Sequence, residues 1–329
     1  DLIPLGAEAD RTMSLLDLLS IGRVSVDLYA EQIGVSMSDV TTFRKSVGGT
    51  ATNVVVATAR YGHHVALATR VGDDQFGRYI AHALEHTFNV DPRFVTTHPT
   101  LKTPLAFAEL DPPEDPTIFF YREPAAPDME IETTAELLAA VDEARIFWVP
   151  ASRFAFTRSR VTVTELLERR ARRTHTVLDL DWRAMFWASE AEAHDAISPM
   201  LDHVSIAIGN RKECEVAVGT DDPDEAADRL LERGLEAVIV KLGGEGVMVA
   251  TAAGRERLMP YTVEVVCGLG AGDAFGGAFC HGLLQSWSLP DAVRYGNAAG
   301  AIVAARMMCA DDMPTGPEVD AFLEERDPG

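Results

Sequence analysis

Cysteine is scarce in this chain and never paired: Cys214, Cys267, Cys280 and Cys309 are scattered through 329 residues with no Cys-x-x-Cys spacing and no neighbouring histidine cluster. Neither a disulfide framework nor a structural zinc is expected, and a reducing cytoplasm is the expected compartment. Positive charge is scarce as well. Lys and Arg number 29 against 51 Asp and Glu, a net charge of -22, so a nucleic-acid or anionic-membrane partner is not expected. An anionic ligand must instead be met by cations and amides placed locally. No apolar run is long enough to cross a bilayer, and the start shows no basic segment with an apolar core and a cleavage site. His63-His64 reads as part of a turn into a strand rather than as metal ligands. No Gly-x-Gly-x-x-Gly follows the first strand and no Gly-Lys-Ser/Thr closes a glycine loop, which disfavours a dinucleotide dehydrogenase and a Walker-type kinase.

What the chain does have is ample apolar material, 47% hydrophobic residues with 24% charged, enough for a sizeable core. Its length allows two domains or one large α/β domain. Strand-like runs at 16–21, 65–71, 145–149, 176–181, 204–208 and 237–242 alternate with helical patterns at 52–61, 76–85, 158–172, 224–233 and 274–286. This alternation predicts a parallel sheet covered on both faces. Two segments break it, 28–47 and 103–121. In the second, Asp111-Pro112-Pro113-Glu114-Asp115-Pro116 marks a turn between two hairpin-like strands.

The chemistry concentrates in Val265-Val266-Cys267-Gly268-Leu269-Gly270-Ala271-Gly272-Asp273-Ala274-Phe275, a strand-like run, a glycine nest and a carboxylate ahead of a helix. Gly270 and Gly272 let backbone N–H groups approach a phosphate, and the helix start adds free donors with partial positive charge. Asp273 then stands where it can take a proton from an attacking hydroxyl. Alone, the segment reads equally well as a glycine turn with an Asp cap. Upstream, Gly48-Gly49-Thr50-Ala51-Thr52-Asn53 opens another helix, a turn through which a sugar hydroxyl can reach backbone and Asn53.

Together, the early Gly-Gly-x-x-x-Asn and the late Gly-Ala-Gly-Asp resemble the paired signatures of the ribokinase family of sugar kinases, also called the PfkB family. The resemblance implies a ribokinase-like three-layer α/β/α fold with a mainly parallel central sheet and a small β lid over the sugar. The kinase domain would span 15–317, with lid segments at about 28–47 and 103–121 and terminal extensions at 1–14 and 318–329. A plain extension of the sheet edge is the alternative for the lid. By the same resemblance Asp27, Gly48, Gly49 and Asn53 bind sugar hydroxyls, and Asn210 and Glu213 of Asn210-Arg211-Lys212-Glu213 organise magnesium through water. Lys241, Gly243 and Gly246 border the nucleotide, Asn297 lies near the adenine, and ATP and Mg2+ are the implied cofactors.

Two arginines sharpen the substrate. Phe120-Tyr121-Arg122-Glu123 and Asp179-Leu180-Asp181-Trp182-Arg183 each set an arginine at a strand end, where an α/β sheet opens its ligand crevice. A planar guanidinium matches a carboxylate. Both stretches are similar to those of the family's sugar-acid kinases, and together with Ser25–Tyr29 and Phe43–Gly49 they resemble above all the kinase of bacterial inositol catabolism, a resemblance that makes Lys45 a third candidate cation at the sugar. The expected reaction is ATP-dependent phosphorylation of a sugar acid, 5-dehydro-2-deoxy-D-gluconate going to its 6-phosphate. Asp273 would be general base and the Gly270, Ala271 and Gly272 amides would stabilise the phosphoryl group. Ordinary ion pairs with Glu123 or Asp181 are the alternative for Arg122 and Arg183. The rival functions are a 2-keto-3-deoxygluconate kinase, a neutral-sugar kinase of the fructokinase or ribokinase type, and a non-catalytic sugar-acid sensor. Where many members of the family carry Asp-Thr at a monovalent-cation site, this chain has Cys267-Gly268. Exposed strand edges on the lid give a reason to expect a homodimer.

Overall fold

The computed structural model describes residues 15–326; the expected extension at 1–14 and the last three residues of the expected tail lie outside them. The strands are β1 (Leu18–Ile21), β2 (Ser25–Ala30), β3 (Phe43–Gly48), β4 (Val65–Gly72), β5 (Val95–His98), β6 (Leu105–Glu109), β7 (Thr117–Tyr121), β8 (Ile146–Pro150), β9 (Thr176–Asp179), β10 (Ile206–Asn210), β11 (Ala237–Lys241), β12 (Val247–Thr251) and β13 (Gly254–Leu258). Nine of them form one sheet in the order β13-β12-β11-β10-β9-β8-β1-β4-β5. From β5 to β11 every pairing is parallel, and β12 and β13 close the edge as an antiparallel hairpin. Central strands such as Leu-Leu-Ser-Ile of β1 are buried along their whole length, as a sheet covered on both faces requires. One apolar cluster lies on each face. The edge strand β13, Gly-Arg-Glu-Arg-Leu, is exposed and charged, which blocks further pairing.

Connection order positions the ligand crevice. The chain runs from β1 to β4 on one side and later returns to place β8 on the other side of β1. The switch point therefore lies between the carboxyl ends of β1 and β8, where α/β sheets bind ligands.

One helix contact then sets the geometry there. Helix Thr50–Arg60 and helix Ala271–Leu284 pack against each other on one sheet face. They come close because Gly277 faces Ala57, where an added Cβ would overlap, and because a Cβ on Gly276 would lie 3.2 Å from Val54 of the facing helix, as well as 2.8 Å from the Trp148 ring of β8. The two helix starts, Gly49 to Asn53 and Gly270 to Asp273, are thereby held side by side.

The lid is a separate four-stranded sheet, β3-β2-β6-β7. Its first strand begins at Ser25, ahead of the expected segment. Three differences from the sequence reading have simple causes. Residues 265–267 are irregular rather than a strand, because the Val266 and Cys267 N–H groups bond to the Ala304 carbonyl at the end of a helix instead of to a sheet partner. The β12–β13 hairpin was hidden behind the glycine turn. The expected tail forms most of helix Gly316–Arg326, which docks on the domain through buried Val319 and through Tyr295, whose hydroxyl donates to Gly316 O and Asp320.

His63 turns away from solvent to meet His281, with Nε2 and Nδ1 2.8 Å apart. Burial, then the neighbouring His63, pushes the His281 imidazole down to about 4. An unfolded histidine takes its proton near 6.5, so the unfolded chain binds more protons as pH falls from there towards 4, and folding stability declines over that window. Between about pH 7.5 and about pH 5.5 the wild type is expected to lose on the order of 1 kcal/mol more unfolding free energy than His281→Gln, a figure already reduced for the ring's partial exposure. Urea titrations at the two pH values measure this, and equal losses would show that His281 titrates normally.

Candidate active site

The nest forms because Gly270 adopts φ 79°, a left-handed conformation that glycine accepts without strain, and caps helix Ala271–Leu284. Asp273 stands in the first turn of that helix. Asn53 Nδ2, from the adjacent helix, donates to Asp273 Oδ2 at 2.7 Å and orients the carboxylate. Asn53 Oδ1 is buried and has no hydrogen-bond partner among the described residues, which leaves an acceptor that a ligand hydroxyl could use. Burial raises the Asp273 carboxyl to about 6; the Asn53 hydrogen bond opposes that, Asp181 adds to it, and Arg183 and Lys241 oppose it. A carboxylate in that range is ionised at neutral pH yet basic enough to take a proton.

A cleft partly open to solvent lies between lid and sheet. It brings together Asp27, Gly49, Asn53, Arg122, Arg183, Gly270 and Asp273, seven residues singled out in the sequence. Strand alternation aims Ile118 and Phe120 of β7 into it and leaves Thr117, Phe119 and Tyr121 outside. Asp27 accepts from Ser25 Oγ at 2.6 Å, and burial lifts its carboxyl to about 6.

A network of arginines crosses the cleft. Asp181 is shared: Oδ1 accepts from Arg183 Nε at 2.8 Å, and Oδ2 from Ser152 Oγ at 2.6 Å and Arg23 Nη2 at 3.3 Å. Burial would raise the Asp181 carboxyl, but Arg183, Arg23 and Ser152 outweigh it and hold it low. Arg122 Nη2 donates to buried Asp128 at 2.6 Å, and Asp128 also accepts from Val24 N at 3.1 Å and faces Arg153. The Arg23 and Arg122 guanidiniums lie 5.0 and 5.7 Å from the centre of one ring, Phe186.

At the ends of β10 and β11 lies a second set. Asn210 and Glu213 form a complete capping box, Glu213 Oε2 accepting from Asn210 N at 2.7 Å and Asn210 Oδ1 from Glu213 N at 2.9 Å. The second Glu213 oxygen and the Asn210 amide nitrogen are not used by the box, which fits a hydrated magnesium. Lys241 pairs in register with Asn210, and Gly243 and Gly246 shape the turn into β12. Asn297, on helix Leu289–Ala304, donates to Met259 O at 3.4 Å.

The pfkB family carbohydrate kinase model matches residues 15–316. A 5-dehydro-2-deoxygluconokinase of Geobacillus kaustophilus is 30% identical over 316 residues, 94% of either chain. One of Bacillus cereus, 5-dehydro-2-deoxygluconokinase 2, is 32% identical over 319 residues, 94% of this chain and 95% of its own. The chain belongs to the PfkB family of carbohydrate kinases. Its fold is shared with a putative ribokinase II of E. coli solved with ATP and Mg2+, at a TM-score of 0.84 and 22% identity over 94% of this chain and 100% of that one.

Some residues of this PfkB kinase fall elsewhere than expected. Lys45 is exposed on the lid, its ammonium 3.7 Å from the centre of the Tyr79 ring, and it is not part of the cleft wall. Gly48 also lies off the wall: a Cβ there would overlap the Asp27 carboxylate, so its part is to make room for Asp27. Ala271 and Gly272 of the nest do not line this cleft, and Asn210, Glu213, Lys241, Gly243, Gly246 and Asn297, expected at the nucleotide rather than at the sugar, lie outside it as well. The ion-pair partner of Arg122 is Asp128 rather than Glu123 or Asp181. Arg23, Asp128, Arg153 and Phe186 were missed. Arg23 carried one usable signal, its place just past the end of β1 at the switch point.

Asp273→Asn should retain the fold and lower turnover by about two to four orders of magnitude, the usual range for a lost general base. In the wild type kcat/KM should fall as pH is lowered through about 6, where Asp273 takes up its proton. Turnover of the variant within a few-fold of wild type would reduce Asp273 to a helix cap.

Proposed function

We propose that this kinase transfers the γ-phosphoryl group of ATP to the terminal hydroxyl of a sugar acid, 5-dehydro-2-deoxy-D-gluconate being the first candidate. The observation that carries this reading is the convergence of Arg23, Arg122 and Arg183 on one cleft wall. Burial lowers the Arg23 guanidinium from its ordinary value and Asp181 opposes that, while Arg122 and Arg183 lower it further by repulsion. A bound carboxylate relieves that repulsion and accepts paired hydrogen bonds, whereas a neutral sugar does neither. The names of the relatives point to the same substrate.

In this reading the sugar lies under the lid with a hydroxyl toward Asp273, which takes the proton. The Gly270 to Gly272 amides and the positive end of helix Ala271–Leu284 face the transferring group. Asn210 and Glu213 would hold Mg2+ through water, and the ion would supply charge neutralisation for the phosphates. The lid's outer face carries Phe107 between Phe43 and Tyr121, at 5.4 and 5.3 Å, with Phe119 and Tyr121 exposed. A second copy of the chain is the partner that face would take.

A panel of sugars and sugar acids assayed for ATP-dependent phosphorylation tests the assignment. Preference for 2-keto-3-deoxygluconate, for fructose or ribose, or binding without turnover would move it to the corresponding rival. Arg122→Met would take from the buried Asp128 carboxylate its closer guanidinium and destabilise the fold, so Arg183, 42% exposed, is the residue to change. Arg183→Met should lower kcat/KM for the sugar acid about ten- to a hundred-fold and barely affect the matching neutral sugar. Equal losses for both would point to a structural ion pair.

The rate should also change little between sodium and potassium buffers. Burial pushes the Cys267 thiol above its ordinary value, so no anionic oxygen or thiolate replaces the family's Asp, and the Gly268 N–H is engaged by Pro113 O of the lid turn. A large potassium-specific activation would show that backbone carbonyls rebuild the site.

A further inference from the structure

Lys241 stands between the glycine nest and the Asn210–Glu213 capping box, and neither one holds its ammonium. It ends β11 in register with Asn210, and its side chain is half-buried. Its ammonium lies 3.5 Å from the point that a Cβ on Gly272 would occupy, so it stands directly against the backbone of the nest. Among the described residues it makes no hydrogen bond and no close ion pair. The carboxylates of Glu213, Asp179, Asp273 and Asp181 surround it at longer range; burial lowers its pKa, but these groups outweigh burial and keep it charged. Burial also raises the Asp179 carboxyl, with Lys241 opposing and Asp181 reinforcing that rise. Such a gathering of acids repels a polyphosphate unless a cation stands among them. Arg183 is committed through Nε to Asp181 on the sugar side, whereas Lys241 has all three donors free.

We propose that Lys241 is a catalytic residue whose ammonium contacts the γ-phosphoryl group of ATP across from the Gly270 to Gly272 amides. The proposal rests on the kinase reading of the nest but not on the identity of the sugar. In the transfer the bond from phosphorus to the bridging oxygen of ADP breaks and ADP keeps the electron pair. A bond from phosphorus to the sugar oxygen forms, and the hydroxyl proton passes to Asp273. Lys241 keeps its protons throughout and contributes charge, which counts most where water is excluded.

The test compares wild type with Lys241→Met and Lys241→Arg by calorimetric binding of ADP and of the non-hydrolysable imido analogue of ATP, both with Mg2+ and without sugar, followed by turnover. The expected result for Lys241→Met is ADP affinity within about three-fold, analogue affinity lower by about ten- to a hundred-fold, and kcat lower by about two to three orders of magnitude, with Lys241→Arg recovering part of each. If Lys241→Met does not fold, the same comparison on Lys241→Arg and Lys241→Gln decides the matter. Equal effects on ADP and the analogue, or a loss of thermal stability with kcat within about three-fold, would overturn the proposal. Because the binding arm contains no sugar, its outcome is independent of whether the acceptor is a sugar acid.

Discussion

The contact between helix Thr50–Arg60 and helix Ala271–Leu284 is the constraint on which the rest of the site depends. Small residues at Gly276, Gly277 and Ala57 let the backbones approach, and the approach brings Asn53 within 2.7 Å of Asp273. A wider spacing would separate the Gly-Gly turn before Asn53 from the glycine nest before Asp273. The glycines of helix Ala271–Leu284 weaken it as an isolated helix, so its stability comes from packing. The long apolar clusters on both sheet faces supply that packing.

Electrostatics forms the second layer. In a chain with a net charge of -22, three arginines nonetheless gather on one cleft wall. Arg23, Arg122 and Arg183 are costly to gather, and Asp181 and Asp128 offset the cost by each holding arginines on more than one side. The buried carboxylates also pre-orient the guanidiniums, so less freedom is lost when a ligand arrives. Around Lys241 the balance is reversed, with Glu213, Asp179, Asp273 and Asp181 surrounding one ammonium.

The lid links these two halves. The Tyr29 hydroxyl accepts from Cys309 N at 3.3 Å while β2 supplies Asp27 to the cleft, and Ser46 of β3 bonds to Asp311. The turn between β6 and β7 reaches the segment before the nest, where Pro113 O accepts from Gly268 N at 3.0 Å. The lid thus touches both the cleft and the segment that leads into the nest, an arrangement that limits the access of water to the space between them.

Local pattern determined much of this in the sequence itself. The alternation of strands and helices, the hairpin at the Asp-Pro-rich turn, the glycine nest ahead of Asp273 and the Gly-Gly turn ahead of Asn53 are all short-range features, and short-range physics makes them legible. Arg122 and Arg183 were visible as strand-end arginines for the same reason. What tertiary structure alone decided is which groups meet. Asp128 claims Arg122 from six residues away through a turn, and Arg23 comes from the end of β1 to share Asp181. Lys45 points along the lid to Tyr79, because neighbouring residues of a strand face opposite ways and a shift of one residue moves a side chain from cleft to surface. Partners distant in sequence are chosen by strand order and helix approach, and neither leaves a mark on any single stretch of residues.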